Sequence, residues 1–296
     1  MEFRDIEIFL TLADELHFGR TAERLHVSPA RISQAIKKQE RTVGADLFTR
    51  TSRSVRLTLV GEQLRDDLRP VFRGLHESIT RARLRAQGKT SVLRVGMMAM
   101  NAHDLRPFWE AFRSRNPQWG LRIQSNGFVD PFVPLRNGDI DALVWFLPVD
   151  EPDLTVGPVV YTEPKMLAVS TKNRLAEEKT VSLEVFGDFP ALTVNGTLPE
   201  ASEHEFIPFH TPKGRPVDKV ISVQTADDIF TAVSQDEAIH GVAAYAARYH
   251  ARPDVVYIPI VDVAPLAWVL VWRSDSDDER LRALADVITE LGPATW

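Results

Sequence analysis

The chain has 296 residues, 44% of them apolar and 26% charged, a globular balance on a length too great for one ordinary core, which excludes both a lone small module and a disordered chain. It contains no cysteine, which removes disulfides, thiol nucleophiles and thiolate metal sites and suits a reducing compartment. The net charge of -6 hides a division: residues 1–87 carry 16 Lys/Arg against 12 Asp/Glu, residues 88–296 carry 19 against 29, and residues 20–58 alone carry 9 against 3, the footprint of a surface that docks on phosphates.

Ile6, Phe9, Leu10, Ala13 and Leu16 recur at helical spacing, with Asp5, Glu7 and Asp14 on the polar face. The chain therefore opens on an amphipathic helix rather than a basic-then-apolar export signal. No apolar run approaches the roughly 18 residues of a membrane span, so a cytoplasmic location with no membrane partner is expected. Thr21–Leu25 gives a second short helix, and Ser28-Pro29 announces a third, with serine suited to the N-cap and proline to the first helical position. Along that third helix Ile32, Ile36 and Val43 keep one face inward while Arg31, Ser33, Gln34, Lys37 and Lys38 face elsewhere, as a helix laid in a major groove requires. The alternating run from Thr49 to Leu57, rich in Arg, Ser and Thr, reads as a two-stranded wing. A basic helix alone is as well explained by a solvated face; the ordered combination of capped helix, local basic excess and Arg-rich hairpin points to DNA.

The residues Phe9-Leu10, Ala13-Asp14, His17–Gln34, Glu40, Gly44, Leu47–Thr51, Val55–Thr58 and Gly61 resemble the winged helix-turn-helix of the LysR-type transcriptional regulators. Pro29-Ala30-Arg31-Ile32-Ser33 and Lys38-Gln39-Glu40 depart from that family's usual Gln-Pro-Ala-Leu-Ser and Arg-Leu-Glu, which bears on the operator sequence rather than the docking mode. The resemblance places Ser28, Pro29, Ala30, Arg31, Ser33, Gln34, Lys37, Lys38, Arg50, Thr51 and Arg53 at the DNA. By chemistry Arg31 suits guanine and Gln34 adenine, while Ser33, Lys37, Arg50 and Arg53 suit phosphate or the minor groove.

Thr58 caps the next helix, where Val60, Leu64, Leu68, Val71, Leu75, Ile79 and Ala82 form a coiled-coil seam that either pairs with a second copy or covers the chain's own effector domain. Pro70 predicts a kink within it. Gln87–Ser91 is a polar linker and the first domain boundary.

Beyond it Val92–Met98, Leu105–Phe112 and Leu121–Ile123 alternate as strand, helix and strand, the beat of a parallel sheet. A helix at 131–137, a strand at 140–145, a strand at Met166–Ser170 and a returning strand at Ala267–Trp272 before a closing helix at Asp278–Leu291 resemble the family's periplasmic-binding-protein-like effector domain. The expected architecture is thus multi-domain: a winged helix-turn-helix at 1–58, a linker and dimerisation helix at 59–90, and a two-lobed α/β effector-binding domain at 91–296, with lobe I at 91–162 and 267–296 and lobe II at 163–266.

In open α/β sheets ligands bind beyond the carboxyl ends of the strands. The candidates are Met98, Ala99, Met100 and Asn101 after the first strand, Asn126, Gly127 and Phe128 after the second, Trp145 and Phe146 after the third, Asn195, Gly196 and Thr197 in the second lobe, and Gln224 and Thr225 before its helix. Such positions also serve as plain core. Where family pockets often place Ser or Thr for a carboxylate, this chain offers Met98, Met100 and Asn101, so a neutral, partly aromatic effector fits better than a small anion. Ser234–Ala238 stands where the family usually has a glycine-containing helix end, so the backbone there is expected to differ.

No enzyme signature is found. His204-Glu205 and His210 are wrongly spaced for a zinc site, with Pro208 between them, and read as a solvated loop; nucleophile elbow, phosphate loop and metal cluster are missing. No catalytic residue, cofactor or metal is expected. The resemblance implies an operator-binding regulator with a small-molecule effector, a dimer through the linker helix, a tetramer, and RNA polymerase as a further partner. The competing reading is an architectural DNA-binding protein whose large domain only oligomerises.

Overall fold

α1 (Phe3–Glu15) opens the chain and buries Ile8, Phe9 and Leu12 completely, while Leu16 closes it in the left-handed conformation and stays exposed. The computed structural model describes residues 2–50, 55–86, 88, 90–98, 101–194, 198–223, 225–276 and 278–295. The chain folds as two units, Met1–Gln87 and Gly88–Trp296. In the first, α2 (Phe18–Arg24) precedes α3 (Pro29–Val43), whose start is held by Ser28 Oγ accepting the Arg31 N–H at 3.2 Å and whose end is Gly44 at φ 82°. β1 (Phe48–Arg50) and β2 (Val55–Leu57) pair antiparallel, with Phe48 opposite Leu57 and Arg50 opposite Val55, as the wing. The wing tip, with Thr51 and Arg53, lies outside the described residues.

α4 (Leu59–Ala86) begins where Thr58 Oγ1 accepts the Gly61 N–H at 3.0 Å. Its first turn runs so close to the wing that a Cβ on Gly61 would stand 2.1 Å from the Leu47 carbonyl oxygen, a position only glycine can fill. The sequence pattern sets 59–90 apart as a connecting segment; in the structure α4 belongs to the first unit, because Leu64, Leu68 and Phe72 pack on its core and Phe72 stacks on Phe3 at 4.6 Å. The single seam is thereby divided: Leu64 and Leu68 turn inward, and Val60, Val71, Leu75, Ile79 and Ala82 remain exposed. The helix continues through Pro70, whose missing N–H leaves the Asp66 carbonyl without its usual donor.

The second unit starts with β3 (Ser91–Met97), α5 (Arg106–Arg115), β4 (Trp119–Ser125), α6 (Val133–Arg136), β5 (Ala142–Phe146) and β6 (Leu154–Glu163). A middle stretch holds β7 (Lys165–Ser170), β8 (Ala191–Val194), α7 (Glu200–Phe206), β9 (Lys219–Val223), α8 (Ala226–Ser234), β10 (His240–Ala243), α9 (Ala246–Tyr249) and β11 (Val255–Pro259). β12 (Leu266–Arg273), α10 (Glu279–Leu291) and β13 (Ala294–Thr295) close it.

One sheet runs β13-β6-β12-β5-β3-β4, parallel through β5-β3-β4 and antiparallel where β12 enters between β5 and β6. A second is built on β10-β7-β11, with the parallel pair β8-β9 joined to it by a bridge from Ala191 to Ile239. The chain passes between the sheets at Glu163-Pro164-Lys165 and returns at 260–265. Up to the outgoing passage β6 stays in the first sheet, with Tyr161 paired with Trp268 and Glu163 with Leu266.

The loop into β5 turns at Gly138 (φ 69°), and Asp141 accepts from Arg94 Nη2 and the Arg94 N–H, each at 2.7 Å, locking β5 to β3. Two expectations are corrected here. The segment around His204 is helical through Phe206 rather than a loop, and His204 and His210 form no metal cluster among the described residues. At the end of α8 the left-handed turn that glycine usually supplies is made by Asp236 (φ 60°), which holds Asn173 at 2.9 Å.

Candidate functional site

On α3, Ser28, Pro29, Ala30, Gln34, Lys37 and Lys38 are exposed and Arg31 and Ser33 half-buried, one continuous polar face opposite the buried Ile32, Ala35 and Ile36. Beneath that face lies Asp5, expected on the solvent side of α1 and instead 0% exposed. Its carboxylate accepts from Arg31 Nη2 at 3.0 Å and Lys38 Nζ at 3.1 Å, and its backbone carbonyl accepts from Gln39 Nε2 at 2.7 Å. Arg31 and Lys38, seven residues and two turns apart, reach over to α1 together, and Gln39, the polar residue at an apolar position, fills the gap between the helices. Burial pushes the Asp5 carboxyl up, but the hydrogen bonds from Lys38 and Arg31 outweigh it and hold the group below its usual value.

The other cations of this face differ in commitment. Arg50 Nη2 meets both oxygens of Glu40, at 2.7 and 2.8 Å, and stands over the Phe18 ring at 5.2 Å, so it staples the wing to α3 and α2. Lys37 is exposed with no carboxylate partner among the described residues. What this face offers to an anion is therefore Lys37 outright, and Arg31 and Lys38 in competition with Asp5.

In the second unit a cavity of about 80 Å³ lies at the carboxyl ends of β3 and β5, walled on one side by Met98, Phe128 and Phe146 of the first sheet's lobe. Those are three of the expected residues. Asn101, Asn126 and Trp145 are instead buried in hydrogen bonds: Asn101 Nδ2 to Tyr161 Oη at 2.7 Å, Asn126 Nδ2 to the Pro131 carbonyl at 3.1 Å, Trp145 Nε1 to Ser202 Oγ at 3.3 Å. Gly127 is exposed in a loop, and Thr225 caps α8, its Oγ1 accepting the Asp228 N–H at 3.1 Å. Ala99, Met100, Asn195, Gly196, Thr197 and Gln224 lie outside the described residues.

The facing wall comes from α7, α8 and β10, which strand-end reasoning does not reach: Phe206, Ile229, Phe230, His240, Tyr245 and Glu203 among others. Their signal in the sequence is only the apolar spacing of short helices. His240 is buried and its Nδ1 has no hydrogen-bond partner among the described residues; burial pushes its pKa down to about 4. Glu203 accepts from Thr193 Oγ1 at 2.9 Å and Lys219 Nζ at 3.1 Å.

At the outgoing passage Glu163 is buried, one oxygen accepting the Tyr245 N–H at 2.7 Å and the other, like Trp268 Nε1, without a partner at hydrogen-bond geometry among the described residues. Burial pushes this carboxyl up to about 7, against the Tyr245 backbone, the Trp268 indole and Arg248. Asp104 in turn joins the lobes by accepting from Arg248 Nη2 at 2.7 Å and Tyr249 Oη at 2.9 Å.

Comparison with known proteins covers both units. Residues 3–62 match a family described as bacterial regulatory helix-turn-helix protein, lysR family, and residues 86–293 one described as LysR substrate binding domain. The chain is 25% identical to HTH-type transcriptional regulator AlsR of Bacillus subtilis over 95% of this chain and 93% of that protein. It is 29% identical to HTH-type transcriptional regulator IlvR of Caulobacter vibrioides over 99% of each. The crystal structure of CbnR, a LysR family transcriptional regulator, shares the fold with a TM-score of 0.65 at 20% identity, covering 98% of this chain and 99% of CbnR. Full-length CbnR complexed with its target DNA gives 0.63 at 21% identity, over 99% and 100%.

Proposed function

The chain belongs to the LysR family of DNA-binding transcriptional regulators, which are not enzymes, and from that premise we propose that a small molecule in the cavity between its two sheets modulates how it binds an operator. The observation that carries this reading is the cavity itself, placed at the strand ends between two lobes joined by only two passages, where an occupant changes how the lobes meet. Operator reading falls to the exposed face of α3, with Gln34 and Arg31 toward base edges and Lys37 and Lys38 toward phosphates, and with the wing alongside. The exposed part of α4 pairs with a second copy, spacing two such helices for two half-sites, and two dimers form the tetramer; RNA polymerase is the further partner of the DNA-bound form. Effector and operator affinities must then be reciprocally coupled.

The test is a mobility shift of the purified protein on its own upstream region, with a salt titration and a random-sequence competitor. Specific retardation that weakens steeply with salt supports the regulator, binding no tighter than competitor favours the architectural reading, and no effect of any metabolite mixture on shift or footprint removes the effector. Two substitutions extend it. Lys37→Ala is expected to weaken binding equally on every sequence and to lower the salt slope by about 1, the signature of one phosphate contact. Leu75→Asp with Ile79→Asp, both on the exposed seam, is expected to halve the mass seen by light scattering, from tetramer to dimer, without changing the helical circular dichroism.

A further inference from the structure

The corner between β10 and α9 is where the second lobe bears on the first. The Tyr245 N–H donates to Glu163 at 2.7 Å and the Ala244 N–H to the Pro164 carbonyl at 3.0 Å, so the corner is bonded to the outgoing passage itself. Arg248 and Tyr249 of α9 reach Asp104 of the first lobe, and the Tyr245 ring meets Trp268 of β12 edge to face at 6.1 Å.

One member of this bearing is a carboxyl sealed from water. Glu163 is 1% exposed, its partner Tyr245 is a neutral backbone donor, and its second oxygen has no partner among the described residues. A carboxylate so placed is badly solvated, and a proton on the free oxygen relieves it. Burial accordingly outweighs the Tyr245 backbone, the Trp268 indole and Arg248, and pushes the group from an ordinary 4.5 up to about 7. The other titratable groups facing it are Asp104 before α5, Arg248 on α9, Tyr161 on β6 and Tyr245 at the corner. Beyond these, Tyr249 bonds to Asp104, the His250 ring lies 6.3 Å from that of Tyr245, and Lys165 pairs with Glu205.

Donor and acceptor of the Tyr245–Glu163 bond belong to different lobes, so a movement of one lobe on the other breaks it and admits water to the carboxyl. The arrangement seen here then holds a proton near neutral pH that a hydrated arrangement has lost, which links the two to pH. Resting on the reading that the lobes change how they meet, we propose that Glu163 is a proton switch in the hinge: with a proton bound it keeps the corner after β10 seated on the first lobe, and on ionising it releases that corner. With the carboxyl at about 7 when seated and 4.5 when hydrated, the equilibrium moves about tenfold away from the seated form between pH 6 and pH 8. The regulator thereby answers to acidity with no ligand in its cavity.

The chain has no cysteine, so Asp286→Cys on α10 and Glu177→Cys in the second lobe, both at exposed positions, take spin labels at those two sites alone. The full-length labelled protein is diluted into unlabelled chains, so that distances within one subunit are read, and measured by pulsed electron double resonance at pH 6, 7 and 8. The expected result is two distances whose ratio changes about tenfold from pH 6 to pH 8, and a Glu163→Gln background held at the pH 6 distribution throughout. Infrared difference spectra of the wild type should show a protonated carboxyl lost with the same midpoint, since solvated carboxylates are ionised well below pH 6. That measurement needs no variant and decides even where Glu163→Gln fails to fold. A pH response unaltered in a folded Glu163→Gln would come from another group, such as His240 or His250, and overturns the proposal, as does a carboxyl band constant across the range. A distance unmoved by pH but shifted by a cell metabolite extract overturns the switch and leaves the effector reading standing. A distance unmoved by either overturns both.

Discussion

Replacing Arg31 by alanine is expected to weaken operator binding by 1–3 kcal/mol, on the order of 10- to 100-fold, and at the same time to destabilise the first unit by about 2 kcal/mol. The second effect follows from the asymmetry of the Asp5 cluster. The carboxylate is fully buried, while the side chains of its two cations are 39% and 53% exposed, so removing Arg31 leaves a charge that water cannot reach with one oxygen unpaired and Lys38 as its remaining cation, whereas removing the carboxylate strands nothing. Asp5→Asn is therefore expected to cost only about 1 kcal/mol, and it releases Arg31 and Lys38 from their internal partner. Its affinity for DNA of any sequence should rise and its salt dependence steepen, opposite in direction to Arg31→Ala. Urea unfolding read with salt-titrated fluorescence anisotropy checks both, and a fall in affinity for Asp5→Asn would show that Asp5 orients these cations for DNA rather than competing for them. Specificity separates the two roles of Arg31: relaxation at one base pair means it reads guanine, and a uniform loss means phosphate. Since Asp5 is held below its usual pKa, the stabilisation it provides is present near neutrality and is lost as pH falls through that lowered value.

What the sequence discloses of this molecule is what local chemistry dictates. Ser28-Pro29 and Gly44 bracket α3 as the capping rules require, and the strand-helix beat after residue 91 gives the first lobe nearly element by element. Met98, Phe128 and Phe146, which the rule that ligands sit beyond strand ends singles out from topology alone, line the cavity. Asp5 is misplaced because its spacing on α1 is that of a polar face, and only the tertiary approach of Arg31 and Lys38, 26 and 33 residues on, makes burial tolerable. The far wall of the cavity escapes for a related reason. α7 has seven residues and no side-chain cap on Pro199, too short for periodicity to announce a helix, yet it brings Phe206 to the cavity. His240 is unreadable in sequence, since a lone histidine on a strand acquires meaning only from the atoms that fail to meet it.

Between about pH 4.5 and 6.5 the stability of the second unit is expected to be nearly free of contributions from Glu163 and His240, because the two buried groups oppose one another. Glu163 is raised to about 7 in the fold from an ordinary 4.5, so the folded state holds a proton the unfolded chain has lost, and its contribution is fully present below about 4.5 and lost as pH rises to about 7. His240 is lowered to about 4 from an ordinary 6.5, so the unfolded chain binds the extra proton, and its contribution is present above about 6.5 and lost as pH falls to about 4. Each change is roughly 3 kcal/mol over its window, and the windows overlap with opposite sign. Single substitutions should uncover the hidden slopes: Glu163→Gln leaves stability rising with pH by roughly 3 kcal/mol between 4 and 6.5, and His240→Leu leaves it falling by about as much between 4.5 and 7. Of the groups facing Glu163, namely Tyr161, Tyr245, Asp104 and Arg248, both tyrosines are pushed further above their usual value by burial and so stay protonated across this range. Urea midpoints of the three proteins from pH 4.5 to 7.5 read the difference directly, and parallel profiles for Glu163→Gln and wild type would mean that Glu163 titrates like a solvated carboxylate.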